Sequence, residues 1–301
     1  MSSLGLTMAL SGCSERVGCL LTTGCRRRRA GWESICRRVG RSPTAPEPER
    51  WTHLFMERDL PARRVGTWKD SVRRAVDAVV ALSMPGGQCV AEPLLRVDGY
   101  LYPHEAVFLY WVARSAPGDG VVVEIGSMRG RSTMCLAAGI RDGGREQVYA
   151  VDPHRYGTRD ELRDNIARFG LTGHVEVVVD DSVTVAAAWQ RPVRAAFVDG
   201  DHSFEAASAD VNVWSQHLAP GGYLLLHDST ELNGIAGPQQ VARLSCRVGA
   251  MFDKIGTIGG ITWARRGGSG FDWSPPEHGK WVFDGIMGSS KWLRRLTTGR
   301  S

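Results

Sequence analysis

The chain has 301 residues, 43% of them hydrophobic, enough to bury one large core or one core with a smaller attached unit. Its formal charge of +5 is unevenly placed: residues 1–74 carry 15 lysines and arginines against 7 acidic residues, whereas the remainder carries 22 against 25. A nucleic-acid binder shows positive charge on its folded domain, so nucleic acid is not expected as a partner. No apolar run approaches the roughly 18 residues needed to span a bilayer, so no transmembrane segment is expected either.

Residues 1–55 hold four of the seven cysteines, the run Arg26–Arg29 and a PTAPEPE stretch, with no sustained apolar period. Such a segment buries too little to offset the entropy of ordering it and is expected to be a disordered basic arm. Met56 stands directly before a helix-like stretch, which makes it a candidate translation start; an arm that touches a membrane surface or an acidic partner is the other reading. Leu10–Cys13 has the outline of a lipoprotein cleavage box, but no basic residue precedes it and the apolar stretch is interrupted, so a signal peptide is not expected. The cysteines form neither close CxxC pairs nor an even set spread through the fold. A reduced, cytoplasmic protein without structural zinc follows as the expectation.

Residues 56–117 read as a helical cap. Val72, Ala75, Val76, Val79 and Val80 recur at three and four between Thr67 and Leu82, the signature of an amphipathic helix. Pro85 to Tyr102 reads as a loop, and His104 to Ala116 as a second helix. Tyr100, Tyr102 and His104 are candidate substrate contacts by position alone.

From residue 118 to 266 short apolar runs alternate with helical segments. VVVEIG (121–126), QVYAVD (147–152), HVEVVVD (174–180), RAAFVD (194–199) and GGYLLLHD (221–228) are the strands. Helices follow the first four near Gly130–Ala138, Arg159–Phe169, Val183–Trp189 and Phe204–His217, and another lies near Pro238–Arg247. Continuous Val/Ile/Leu runs indicate strands covered on both faces, so the fold class is α/β with a doubly wound, Rossmann-like parallel sheet. MFDKIGTIG and ITWARR, joined through Gly259-Gly260, then predict a closing antiparallel hairpin. Residues 267–301 read as an irregular extension whose Trp273, Trp281 and Trp292 could wall an apolar pocket.

In such a sheet ligands sit beyond the carboxyl ends of the strands, and glycines let the backbone approach them. The first turn, EIGSMRGRS (124–132), offers Gly126 and Gly130 but lacks the GxGxxG pattern of a pyrophosphate cradle. Asp152 ends the second strand, where a carboxylate can accept both hydrogen bonds of a ribose diol; tight strand-to-helix packing and a helix cap are the structural alternatives for these residues.

EIGSMRG (124–130), AVD (150–152), DDS (180–182), DGDH (199–202) and PGGYLLLHD (220–228), in this order, resemble class I S-adenosylmethionine-dependent methyltransferases. The closer similarity is to metal-assisted small-molecule O-methyltransferases that act on sugars, macrolides and other natural products. The resemblance covers roughly Gly99 to Arg266 and implies a seven-stranded sheet whose last pair is antiparallel. It also implies that Glu124, Gly126 and Gly130 line the methionine end of S-adenosylmethionine, with Ser127 and Ser132 near its carboxylate. Asp152 would hold the ribose, and Asp181 and Ser182 would lie near the adenine.

FVDGDHS (197–203) concentrates titratable groups in one turn. Asp199 ends the fourth strand and Asp228 the fifth; parallel neighbours lie about 4.8 Å apart, so both carboxylates can converge on one cation. Hard oxygen donors with open positions suit Mg²⁺, which would acidify and fix an acceptor hydroxyl. Methyl transfer to a hydroxyl needs a base, and His202, three residues past Asp199, is the candidate, with Asp199 as its catalytic companion. Relatives often place a second acidic or amide group where this chain has His227, so His227 is left as a metal ligand, an orienter of Asp228 or a packing residue. Asp201 reads best as an Asx turn, and a buried structural role is the alternative for His202.

The expectation is therefore a methyltransferase acting on a hydroxyl of a small molecule, with S-adenosylmethionine and Mg²⁺ as cofactors. A hydroxylase-associated tailoring protein of the same fold and a non-catalytic S-adenosylmethionine-binding protein are the alternatives. The acceptor is not legible, and a homo-oligomer is compatible with the sequence.

Overall fold

A computed structural model describes residues 68–232, 235–249 and 251–268. The arm at 1–55, the stretch 56–67 and the tail tryptophans Trp273, Trp281 and Trp292 lie outside the described residues.

Among the described residues, three α-helices precede the first strand: α1 (Trp68–Leu82), α2 (Ala91–Arg96) and α3 (Pro103–Ser115). Strands and helices then alternate through β1 (Val121–Ile125), α4 (Arg131–Gly143), β2 (Val148–Val151), α5 (Arg159–Arg168), β3 (Val175–Val178), α6 (Ser182–Ala187), β4 (Val193–Val198), α7 (Phe204–His217) and β5 (Leu218–Leu226). Helix α8 (Ala236–Ser245) leads to β6 (Phe252–Ile258) and β7 (Ile261–Arg266). The seven-stranded sheet has the order β3-β2-β1-β4-β5-β7-β6. Strands β1 to β5 pair in parallel, and β7 runs antiparallel to both β5 and β6. The predicted fold class is thus the observed one, hairpin included.

Every residue of β1 and β4 is buried. Alternate side chains feed two cores: Val122, Ala195 and Phe197 pack with α3, α4 and α5, while Val121, Val123, Ala196 and Val198 pack with α7 and α8. Full burial of one such aliphatic side chain stabilises by roughly 1.5–3 kcal/mol, so both faces must be covered. Helix α3 is buried on nearly all sides and shares its core with α1, α2 and α4, so packing is continuous from α1 into the sheet. Arg194 on β4 fastens it: the buried guanidinium donates to the carbonyls of Val112 (3.3 Å) and Ala113 (2.5 Å) near the end of α3. Burial lowers the Arg194 pKa to about 10, yet the cation sits where a helix terminus favours positive charge.

Residues 85–102 differ from the expected loop, since they contain a 3-10 turn at Gly87–Cys89 and then α2. Pro93 does not prevent the short helix, because first-turn amides have no intrahelical acceptor to lose. Buried Val90, Leu94 and Val97 then anchor the segment to the core. No helix among the described residues is long and apolar enough to cross a membrane.

Candidate functional site

Strand order reverses between β1 and β4, and the turns at their carboxyl ends meet there. Gly126 adopts φ +86°, and a Cβ on it would lie 2.1 Å from the Asp199 carbonyl oxygen. Gly130 adopts φ +91°, and its Cβ would lie 2.5 Å from a Leu162 methyl. Protein packing therefore accounts for both glycines, and what they do for the site is to let the β1 turn close onto the β4 turn.

Between them the turn faces the end of β2. The Asp152 carboxylate accepts from the amide of Met128 at 2.8 Å and from that of His154 at 2.6 Å. Both amides belong to residues of positive φ, Met128 at +47° and His154 at +50°, conformations that need such support. Asp152 is thus neither isolated nor a helix cap; it ties two turns together at the sheet edge.

Glu124 is fully buried on β1, and its Oε2 accepts from the Thr133 hydroxyl at 2.5 Å. Burial pushes its carboxyl up to about 8, against the pull of the Ser132 and Thr133 hydroxyls. Glu124 Oε1 and the Ser127 hydroxyl are buried and have no hydrogen-bond partner among the described residues. Together with buried Ser132 they form a polar pocket that suits an amino-acid group: an ammonium beside Glu124 would favour its ionised form.

At the next turn Asp181 caps α6 by accepting from the Val183 amide at 3.1 Å. Ser182 turns inward and donates to Asp210 on α7, whose carboxyl burial raises to about 6. Neither side chain meets the acidic cluster, but the turn they occupy lies on the same edge of the sheet as Asp152.

The cluster itself forms where β4 and β5 end. Asp199, His202 and Asp228 each offer one ligating atom, all within 4.8 Å of one another. His202 Nε2 stands 3.6 Å from Asp199 Oδ1 and 3.4 Å from Asp228 Oδ2. The nearby Asp199 carboxylate raises the His202 pKa against the effect of partial burial. Asp228 holds φ +52°, a left-handed conformation that turns the chain sharply after β5. Asp201 accepts from the Ser203 amide at 2.7 Å, the Asx turn read from the sequence.

His227 stands beside the cluster, with Nδ1 3.6 Å from Asp228 Oδ1. Its Nδ1 lies 2.9 Å from Asp199 Oδ1, and its Nε2 lies 3.3 Å from Oε2 of Glu105. Burial lowers its pKa, but the two carboxylates outweigh burial and hold it well above the ordinary imidazole value. With both nitrogens facing carboxylates, the ring bridges Asp199 and Glu105. Asp199 likewise stays below the usual carboxylate range: burial raises it, and His227 and His202 more than compensate.

Two carboxylates and an imidazole at this separation fit a single divalent cation. If only Asp199 and Asp228 ligate, the donor set is hard and suits Mg²⁺; if His202 joins, imidazole-tolerant ions such as Mn²⁺ are favoured. Glu105 was not singled out from sequence. A Glu just inside a helix start is a local signal for capping, as its 2.8 Å bond from the Tyr102 amide shows, but nothing local points across 122 positions to His227. Tyr102 and His104 stack on each other beside it at 5.6 Å, while Tyr100 is solvent-exposed.

Residues 123–229 match a family model described as a methyltransferase domain. An O-methyltransferase from Bacillus cereus, solved in complex with SAH, is 21% identical; the match covers 64% of this chain and 97% of that one with a TM-score of 0.50, which shows a shared fold. A SAM-dependent O-methyltransferase from Thermotoga maritima matches at 14% identity over 61% of this chain and 73% of that one, with a TM-score of 0.44. A TDP-rhamnose 3'-O-methyltransferase of calicheamicin biosynthesis matches at 16% identity over 69% and 99%, with a TM-score of 0.45.

Proposed function

We propose, from the premise that this chain carries a class I S-adenosylmethionine-dependent methyltransferase domain, that it methylates a hydroxyl group of a small molecule. The observation that carries this reading is the meeting of Asp199, His202 and Asp228 at the ends of β4 and β5, next to the β1 turn and its polar pocket.

S-adenosylmethionine, when bound, supplies a methyl group on a positively charged sulfur. Glu124, Ser127 and Ser132 would receive its amino-acid end, and Asp152 its ribose; Asp181 and Ser182 would border the adenine. A divalent cation at Asp199 and Asp228 would supply Lewis acidity that lowers the pKa of an acceptor hydroxyl. The acceptor oxygen must lose its proton as it attacks in line. His202, the exposed member of the cluster, takes that proton on Nε2, and Asp199 and Asp228 stabilise the imidazolium that results. His202 can serve as base only while Nε2 is free, so this role goes with a cation held by the two carboxylates alone.

The two acidic ligands, the base and the pocket come from the turns after three different strands, β1, β4 and β5, which is why the sheet's strand order matters for the chemistry. Calorimetry with S-adenosylmethionine and transfer of an isotope-labelled methyl group to a panel of glycosides, nucleotide sugars and phenols test the reading. Labelled product that disappears on chelation supports it in full; absence of S-adenosylmethionine binding overturns it.

A further inference from the structure

Glu105 is a fully buried carboxylate whose two oxygens bind different parts of the chain. Oε1 accepts from the Gly260 amide at 2.6 Å in the β6–β7 turn, and Oε2 accepts from the Tyr102 amide at 2.8 Å while facing His227 Nε2 at 3.3 Å. The close approach requires glycine at 259, where φ is +58° and a Cβ would lie 2.5 Å from Oε1. The same turn grips the chain just after the cluster: the Gly260 carbonyl accepts from the Ser229 amide at 2.9 Å, and the Gly259 carbonyl accepts from Thr230 Oγ1 at 2.8 Å.

We propose that Glu105 is a positioning residue for the acidic site, acting through His227 on Asp199. An imidazole held by one hydrogen bond can swing about it, whereas one pinned at both nitrogens cannot. Glu105 fixes the far end of the His227 ring, so that the near end presents Nδ1–H to Asp199 Oδ1 at 2.9 Å and sets the rotation of that carboxylate. Asp199 is the member shared by the cation site and by His202, so its orientation bears on both. Partners at one remove from a cation commonly matter in this way. Helix α3, which precedes the residues matched by the methyltransferase model, thereby becomes part of the working site.

The kinetic arm of the test rests on the methyl-transfer reading; the spectroscopic arm does not. Glu105→Gln preserves size and an acceptor oxygen but replaces the oxygen facing His227 or Gly260 with an amide nitrogen. In protein free of ligand and metal, the imidazole N–H resonances of His227 are assigned by their loss in His227→Asn. Glu105→Gln is expected to shift or abolish the Nδ1–H resonance. In turnover it should lower kcat roughly 10- to 100-fold with KM for S-adenosylmethionine unchanged, and lower it no further in a His227→Asn background. An unmoved resonance, or an equal loss of kcat with and without His227, overturns the proposal. If Glu105→Gln does not fold, Glu105→Asp withdraws the carboxylate by one methylene and is judged by the same resonance. If the wild type transfers no methyl group, the functional reading fails, and the resonance alone decides the role of Glu105.

Discussion

The Thr133 hydroxyl donates to Oε2 of fully buried Glu124 at 2.5 Å, and it and the Ser132 hydroxyl are set against the desolvation of a whole carboxylate. Desolvation wins, and the Glu124 pKa rises from 4.5 to about 8. The folded protein then keeps a proton that the unfolded chain releases, and between those two values the native state binds more protons. Stability is expected to fall as pH rises through that window and to level off above it, by an amount on the order of a few kcal/mol. Glu124→Gln, neutral throughout, should lose this slope. Urea denaturation of the ligand-free protein across the window measures it, and a parallel slope in wild type and variant contradicts the assignment. Saturating S-adenosylmethionine should flatten the wild-type slope as well, because its ammonium stabilises the ionised carboxylate.

Asp228 provides a cleaner test of the cation site than Asp199. Asp199 holds buried His227 at 2.9 Å, against 3.6 Å for Asp228, so removal of Asp199 disturbs structure and ligation together. Asp228→Asn keeps the shape, and asparagine tolerates the φ of +52° found there. The variant should melt near the wild type yet bind Mn²⁺ more weakly by at least roughly tenfold, the lower bound for a lost contact around a bound metal. Calorimetry with Mn²⁺ alone reads this without any methyl acceptor; equal affinities would remove Asp228 from the ligand set.

How much of this was visible beforehand depends on whether a feature is local. The valines at 121–123 and the leucines at 224–226 announce buried parallel strands, because both faces of such strands are covered. Asp199 and Asp228 could be brought together on paper, since each directly ends a strand and the two strands are neighbours. Gly126 and Gly130 were legible as glycines for ligand approach or tight packing, but the groups they approach, Asp199 and Leu162, are contacts defined only by tertiary packing. The helix at 91–96 was hidden by Pro85, Gly86, Gly87 and Pro93, four breakers whose effect is overridden by burial of Val90, Leu94 and Val97. The surroundings of His227 could not be read from the HD pair alone, because its second partner is Glu105 on a helix that precedes the sheet.

Gly126→Ala is expected to be far more damaging than a methyl group suggests. The new Cβ would meet the Asp199 carbonyl oxygen at 2.1 Å and the Gly200 Cα at 2.9 Å, and φ +86° is unfavourable for any L side chain. Both obstacles are backbone, so relief requires the β1 and β4 turns to separate. A loss of about 3 kcal/mol or more is expected, in the range of severe backbone and overpacking substitutions. Urea midpoints measure the loss. A well-folded Gly126→Ala that had lost only S-adenosylmethionine binding would instead show that the glycine serves the ligand rather than the packing.

Arg131 tests whether the helices before the sheet hold the cofactor turn in place. Its guanidinium is buried at the start of α4, donates to the carbonyls of Val97 (3.3 Å) and Gly99 (3.1 Å), and pairs with Asp77 of α1 at 3.4 Å. Burial lowers its pKa, and Asp77 partly restores it. Arg131→Met keeps the length and apolar stem but leaves two carbonyls and a carboxylate short of a donor. Destabilisation of about 2–4 kcal/mol is expected, with faster amide exchange along residues 97–102. Arg131→Lys should recover only part of it, since one ammonium cannot reproduce a planar fork that spans two carbonyls and Asp77. In an Asp77→Asn background the cost of Arg131→Met should shrink, because the Arg131–Asp77 ion pair is already absent there; an unchanged cost would place the stabilisation in the carbonyl contacts alone.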